Sequence, residues 1–244
     1  MTDPEIESRL TRMSREGRPN QTWPEGCYGS MISWLLFVGP SPGGRAETGA
    51  VKSRNEDGGE ALWNKDFLEP FSKWSGGFTT SLQVLVETIV GRSVEQGAGR
   101  LYGVANFDWV QNPDCARVPE ERMKAGVPHV LRVLDQARPK VIVTLEERAH
   151  DLLEGTLCER YQLPKPETQK VFIRIGTPRQ GAHRAMRAFG ISGAGPLSGS
   201  IVVKSPQHPA HIFTRDYAIR CARAVRAVVE QIAAGATELS VQEL

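Results

Sequence analysis

The sequence predicts a single three-layer αβα domain with a central parallel sheet of about four or five strands. Three observations lead there. Short apolar runs recur along the chain, at residues 33–39 (SWLLFVG), 102–107, 140–145 (KVIVTL), 171–176 and 201–205 (IVVKS). The first is continuous rather than alternating, as in a strand buried on both faces. Segments with helical spacing separate the runs, and strands alternating with helices form parallel βα units. With 244 residues, 40% of them hydrophobic, the chain can bury one sizeable core, so one large domain is expected.

In chain order, residues 1–30 read as an irregular arm with Pro19, Pro24, Gly26 and Gly29, residues 31–236 as the α/β domain, and 237–244 as a tail. The first strand runs into PSPGG (40–44). A polar, Gly-rich stretch at 45–60 is too long for a tight connection. Helices are predicted at 61–74 and 79–90. Pro119 followed by Glu120 and Glu121 opens a helix reaching about residue 137, because proline suits the first turn and acids suit the positive helix end. A further helix spans about 146–161. Thr214 is a plausible N-cap for the last one, which ends near 234. Cys221, Val225, Val228 and Ile232 recur at helical spacing, so Cys221 is read as a core residue.

Composition removes some classes. No apolar run approaches the roughly 20 residues that span a bilayer. The polar start lacks the apolar centre of a secretory signal, so a soluble cytoplasmic protein without membrane contact, and a monomer, is expected. Lys plus Arg number 30 against 28 for Asp plus Glu, and a net charge of +2 leaves any nucleic-acid role to local clusters. The cysteines at 27, 115, 158 and 221 form no Cys-x-x-Cys pair, so no metal and no cofactor is expected.

In a parallel sheet the ligand site lies beyond the carboxyl ends of the strands. Three loops there carry the unusual residues. Gly39, Pro40, Ser41, Pro42, Gly43 and Gly44 form a small-residue loop that lets a ligand approach the main chain; the plain alternative is a proline-stiffened turn. Asn106, Phe107 and Asp108 end the second strand. An Asn offers a donor and an acceptor, as the edge of a pyrimidine requires; the alternative is an Asx turn. The third loop runs Ser205-Pro206-Gln207-His208-Pro209-Ala210-His211-Ile212-Phe213. His208 suits an oxyanion donor. Ile212 and Phe213 suit a wedge in a base stack, or else pack beneath the last helix.

Together these loops resemble the uracil-DNA glycosylase superfamily over roughly residues 33–230. VGPSPGG is similar to its first motif, a strand followed by Gly-x-x-Pro-Gly. YGVANFDWVQNPDCARVPEE resembles the second, an Asn at a strand end leading to a Pro-Glu-Glu helix start. VLDQARPKVIVTLEERAHDLL resembles the helix–strand–helix that follows, and SPQHPAHIF the final His-Pro motif. The resemblance implies that Asn106 reads the base and His208 stabilises the departing pyrimidine. Gly39, Pro40, Ser41, Pro42, Gly43 and Phe107 then shape the base pocket, and Ile212 and Phe213 fill the gap left by the flipped base. It places Gly44, Ser205, Gln207, Pro209 and His211 on the DNA. Trp63, Phe67, Phe71 and Phe78 are candidates to stack on the base.

The chain departs from the family in three places. Relatives place Asp, Asn or Glu in the first motif to activate water, where this chain has Pro40 and Ser41. Asp108 is the nearest substitute, then Glu47. Gly43 replaces the bulky Tyr that screens 5-substituted pyrimidines in the uracil-specific branch, which implies a wider pocket and a modified substrate, such as modified viral DNA. The cysteine spacing does not match the iron–sulfur branch. The Gly/Arg-rich segment 177–199 supplies Arg179, Arg184 and Arg187 to line the site or grip phosphate. Among Arg215, Arg220, Arg223 and Arg226 of the last helix, Arg215 lies nearest the third loop. Two other readings stay open at this point: a catalytically silent DNA-binding module of the same fold, and a hydrolase of small nucleosides or nucleotides.

Overall fold

The computed structural model describes residues 4, 8–9, 28–29, 33–41, 77–93, 96–108, 117–162, 169–175, 182–212, 214–236 and 239; for 28–29, 77–79, 100, 169–175 and 182–185 only the backbone is described. The elements are β1 (Tyr28–Gly29), β2 (Leu35–Gly39), α1 (Gly77–Val90), β3 (Tyr102–Asn106), α2 (Glu120–Ala137), β4 (Val141–Thr144), α3 (Glu147–Tyr161), β5 (Gln169–Ile175), β6 (Ala182–Gly190), β7 (Ile201–Lys204) and α4 (Arg215–Ala233). The predicted helix at 61–74 lies outside the described residues.

The strands form one sheet in the order β1-β3-β2-β4-β7-β6-β5. Its centre, β3-β2-β4-β7, is parallel, which gives the four-stranded core of the expected three-layer αβα domain. Successive side chains of a strand point to opposite faces. Leu35 and Phe37 accordingly pack with α1 and α4, and Leu36 and Val38 with α2 and α3. The two apolar faces explain why the central strands read as continuous rather than alternating runs.

The sheet edges differ from the expectation of parallel units throughout. β6 pairs antiparallel with β7, and β5 antiparallel with β6. The strand expected at 171–176 is described over Gln169–Ile175, where it is an antiparallel edge strand, and β6 replaces the loop expected between two strands. β6 carries Arg184 and Arg187 within AHRAMRAFG, so its apolar pattern is broken. Within the arm, Tyr28–Gly29 pair antiparallel with β3. Arg9 donates to the carbonyls of Ser33 (2.6 Å), Ala137 (3.1 Å) and Arg138 (2.6 Å), which satisfies carbonyls left open at the end of α2.

Local signals held where they were strongest. Pro119 precedes α2, with Glu120 and Glu121 in its first turn. Thr214 caps α4, its Oγ1 accepting the Tyr217 N–H at 3.2 Å. Cys221, Val225 and Val228 are fully buried on one face of α4. Among the described residues, no helix is long and apolar enough to cross a membrane.

Candidate functional site

Because β3, β2, β4 and β7 run parallel, their carboxyl ends share one edge of the sheet. Gly39 and Asn106 are register partners across β2 and β3. A Cβ on Gly39 would lie 2.7 Å from Asn106 Oδ1, so glycine is needed for the two strand ends to meet with the amide in place. The ladder continues past the strands: the Phe107 N–H donates to Gly39 O (3.0 Å) and the Asp108 N–H to Pro40 O (2.9 Å). Ser41, Asn106 and Asp108 are all buried at this edge. The structure thus brings the first and second loops into direct contact.

Asp108 is 2% exposed. Arg122, from the first turn of α2, places Nη2 2.8 Å from Asp108 Oδ1 and 2.6 Å from Oδ2. A buried carboxylate without a counter-charge is costly, and this guanidinium supplies one. The contact leaves the Asp108 carboxylate an oriented negative charge at the strand end. Arg122 was not singled out from the sequence. Its only signal was its place in a helix start directly after the second loop.

The third loop leaves β7. The Ser205 N–H donates to Thr144 O (2.8 Å), and Ser205 Oγ donates to Gln207 O (2.7 Å). Ser205 and Pro209 are buried, Gln207 and His208 half-buried, and His211 exposed. Counting strands, this loop starts two steps from Gly39, about 10 Å at the usual strand spacing. His208 Nδ1 accepts the Ala210 N–H at 3.2 Å, which assigns the proton of the neutral ring to Nε2. Burial, and secondarily the charge of His211, pushes the His208 pKa down to about 4. At neutral pH the ring is therefore uncharged and carries its donor on Nε2. The two rings lie 5.8 Å apart, centroid to centroid.

Several expected site residues lie elsewhere. Ile212 is 0% exposed and belongs to the core formed with α1 and α4, while Ser81 Oγ donates to its carbonyl at 3.3 Å. It takes the packing alternative and is not placed as a wedge. Phe107 is 0% exposed in the core under α2 and α3, so it offers the site its backbone and not its ring. Arg215 is exposed at the start of α4, beside the third loop. Pro42, Gly43, Gly44, Glu47, Trp63, Phe67, Phe71, Arg179 and Phe213 lie outside the described residues, and the side chains of Phe78 and Arg184 are not described.

Arg187 does not serve a phosphate site. It contacts Glu147 Oε1 at 2.8 Å, Glu154 Oε2 at 2.5 Å, and Asp151. Burial opposes its charge, but the pairs with Glu147 and Asp151 outweigh burial and raise its pKa. Lys204 also pairs with Glu147. Burial alone would raise the Glu147 pKa; Lys204 and Arg187 overcome it and hold the carboxyl low. Beside this network, Thr144 Oγ1 and His150 Nδ1 lie 2.9 Å apart. Burial, then the Arg187 charge, pushes the fully buried His150 down to about 4. Carboxylates at 147, 151 and 154 of α3 were the overlooked sequence signal, since that spacing puts them on one helix face.

No family model matches this chain, and no curated protein matches it.

Proposed function

We propose that the chain is a DNA glycosylase that hydrolyses the N-glycosidic bond of a flipped pyrimidine, with a 5-substituted or otherwise modified base favoured over plain uracil. One observation carries this reading: an amide at Asn106, in register with Gly39, stands two residues before a buried carboxylate at Asp108, at the end of the sheet from which the loop of neutral His208 also leaves. The partner in this reading is DNA, bound by a monomer in the cytoplasm.

In the proposed reaction the base is first extruded from the stack, because its bond is unreachable in a duplex. Asn106 pairs with the pyrimidine edge. The C1′–N1 bond breaks, and its electron pair leaves with the base. His208 Nε2–H stabilises the negative charge on the base oxygen, as an oxyanion donor does. Asp108 stabilises the positive charge on the sugar and orients water. Water adds its oxygen to C1′, its proton passes to solvent, and the base anion is protonated. Addition to a cation asks the carboxylate only to orient the water.

Mass spectrometry of free base released from uracil-containing and 5-substituted-pyrimidine duplexes tests the proposal. The wild type is expected to release base, preferentially the substituted one. His208→Ala is expected to lose roughly 10²–10³-fold in rate, the usual effect of removing an oxyanion donor. Asp108→Ala should lose activity too. Release of uracil alone rejects the enlarged pocket, and turnover of free nucleosides replaces the proposal with nucleoside hydrolysis. The commitment of Asp108 to Arg122 favours one rival, the silent DNA-binding module; salt-sensitive DNA binding without base release would establish it.

A further inference from the structure

Helix α2 comes unusually close to the loop that carries Asn106 and Asp108. A Cβ built on Gly126 would lie 1.5 Å from the Phe107 carbonyl oxygen, 2.5 Å from its carbon and 3.0 Å from its Cα. Backbone thus rests on backbone, and any side chain at 126 would occupy the space of the Phe107 peptide. Glycine weakens a helix interior, so its place here is explained by this approach. Arg122 lies four residues earlier, on the same helix face. Its Nη2 grips both oxygens of the buried Asp108. Between these contacts the Phe107 and Asp108 amides donate to Gly39 O and Pro40 O.

We infer that Gly126 and Arg122 form one docking face of α2 that positions the segment Asn106–Asp108, so that α2 sets where the base-reading amide and the water-orienting carboxylate stand. Both are positioning residues: Gly126 fixes the height of the helix over Phe107, and Arg122 fixes the direction of the Asp108 carboxylate. The inference rests on the glycosylase reading for its kinetic consequence but not for its structural one.

Base release and amide hydrogen exchange test it. In base release, Gly126→Ala is expected to lower kcat about hundredfold, since a displacement of about 1 Å at a reacting group costs that much. Arg122→Gln is expected to lower kcat about tenfold with KM unchanged, and Arg122→Lys to recover part of the loss. Added to Asp108→Asn, the R122Q change should alter the remaining rate by less than about twofold, because Arg122 acts through that carboxylate. In amide hydrogen exchange, both G126A and R122Q should speed exchange at Phe107 and Asp108 by at least about tenfold, while the amides of β4 stay protected.

An R122Q protein with wild-type kcat and unchanged exchange at Phe107 and Asp108 overturns the inference, as does an R122Q loss that persists in full on top of D108N. If G126A does not fold, R122Q decides alone. If the wild type releases no base from any substrate, the glycosylase reading falls, and exchange still rules on the positioning.

Discussion

Replacing Arg187 by Met removes one cation from three carboxylates and keeps the aliphatic bulk of the side chain. The three pairs are not equal. Glu147 and Asp151 have side chains 50% and 57% exposed, and pairs with such groups contribute about 0–1 kcal/mol each. Glu154 is 10% exposed, and stripping the partner from a buried carboxylate costs about 3–5 kcal/mol. The expected loss is therefore about 4 kcal/mol, nearly all of it at Glu154. At about 2–4 °C per kcal/mol for a chain of this size, Tm falls by roughly 10 °C. Urea unfolding at pH 7 measures the difference. The double variant R187M/E154M is expected to return to within about 1 kcal/mol of wild type, because it removes the buried carboxylate together with its guanidinium and leaves apolar groups in their place. A single variant within about 1 kcal/mol of wild type, or a double variant no more stable than R187M, refutes the reasoning. Arg187 would then be available to a ligand after all.

Two further outcomes follow from burial. His150 and His208 have pKa values pushed down from 6.5 to about 4 in the folded chain, with burial the largest cause in both. The unfolded chain therefore takes up these protons first as pH falls, and stability is lost between about 6.5 and about 4, with no further loss from them below that. For fully buried His150 the gap corresponds to about 3 kcal/mol. Urea midpoints measured across that window should fall with acid, less steeply in His150→Gln, and equal slopes would remove the assignment. Separately, Ile212→Ala should destabilise by about 2–5 kcal/mol, as for a core aliphatic truncation, without weakening DNA binding beyond that. A loss below about 1 kcal/mol in urea unfolding would return Ile212 to the list of wedge candidates.

The features of this protein that depend on near neighbours along the chain are legible before any coordinates. The apolar runs of β2, β4 and β7 mark strands, and the continuous run of β2 marks one buried on both faces. Pro119 with two acids marks the start of α2, and Thr214 the cap of α4. The alternation of strand and helix predicts a parallel centre, and a parallel centre puts Asn106 and Gly39 at one edge. All of these follow from local periodicity and capping.

Which residues face each other across layers emerges from the packed fold. Ile212 sits on a polar loop, yet α1 and α4 close over it. Phe107 directly follows the strand that ends in Asn106, yet its ring turns into the core beneath α2. β6 holds Arg187 in its middle, which hides it from any apolar pattern, and the strand is tolerated because three carboxylates wait on α3. Asp108 and Arg122 meet because Gly126 lets the helix come down onto the Phe107 peptide. A charge buried inside a fold is stable only when a distant part of the chain brings its opposite, and no local pattern records that meeting.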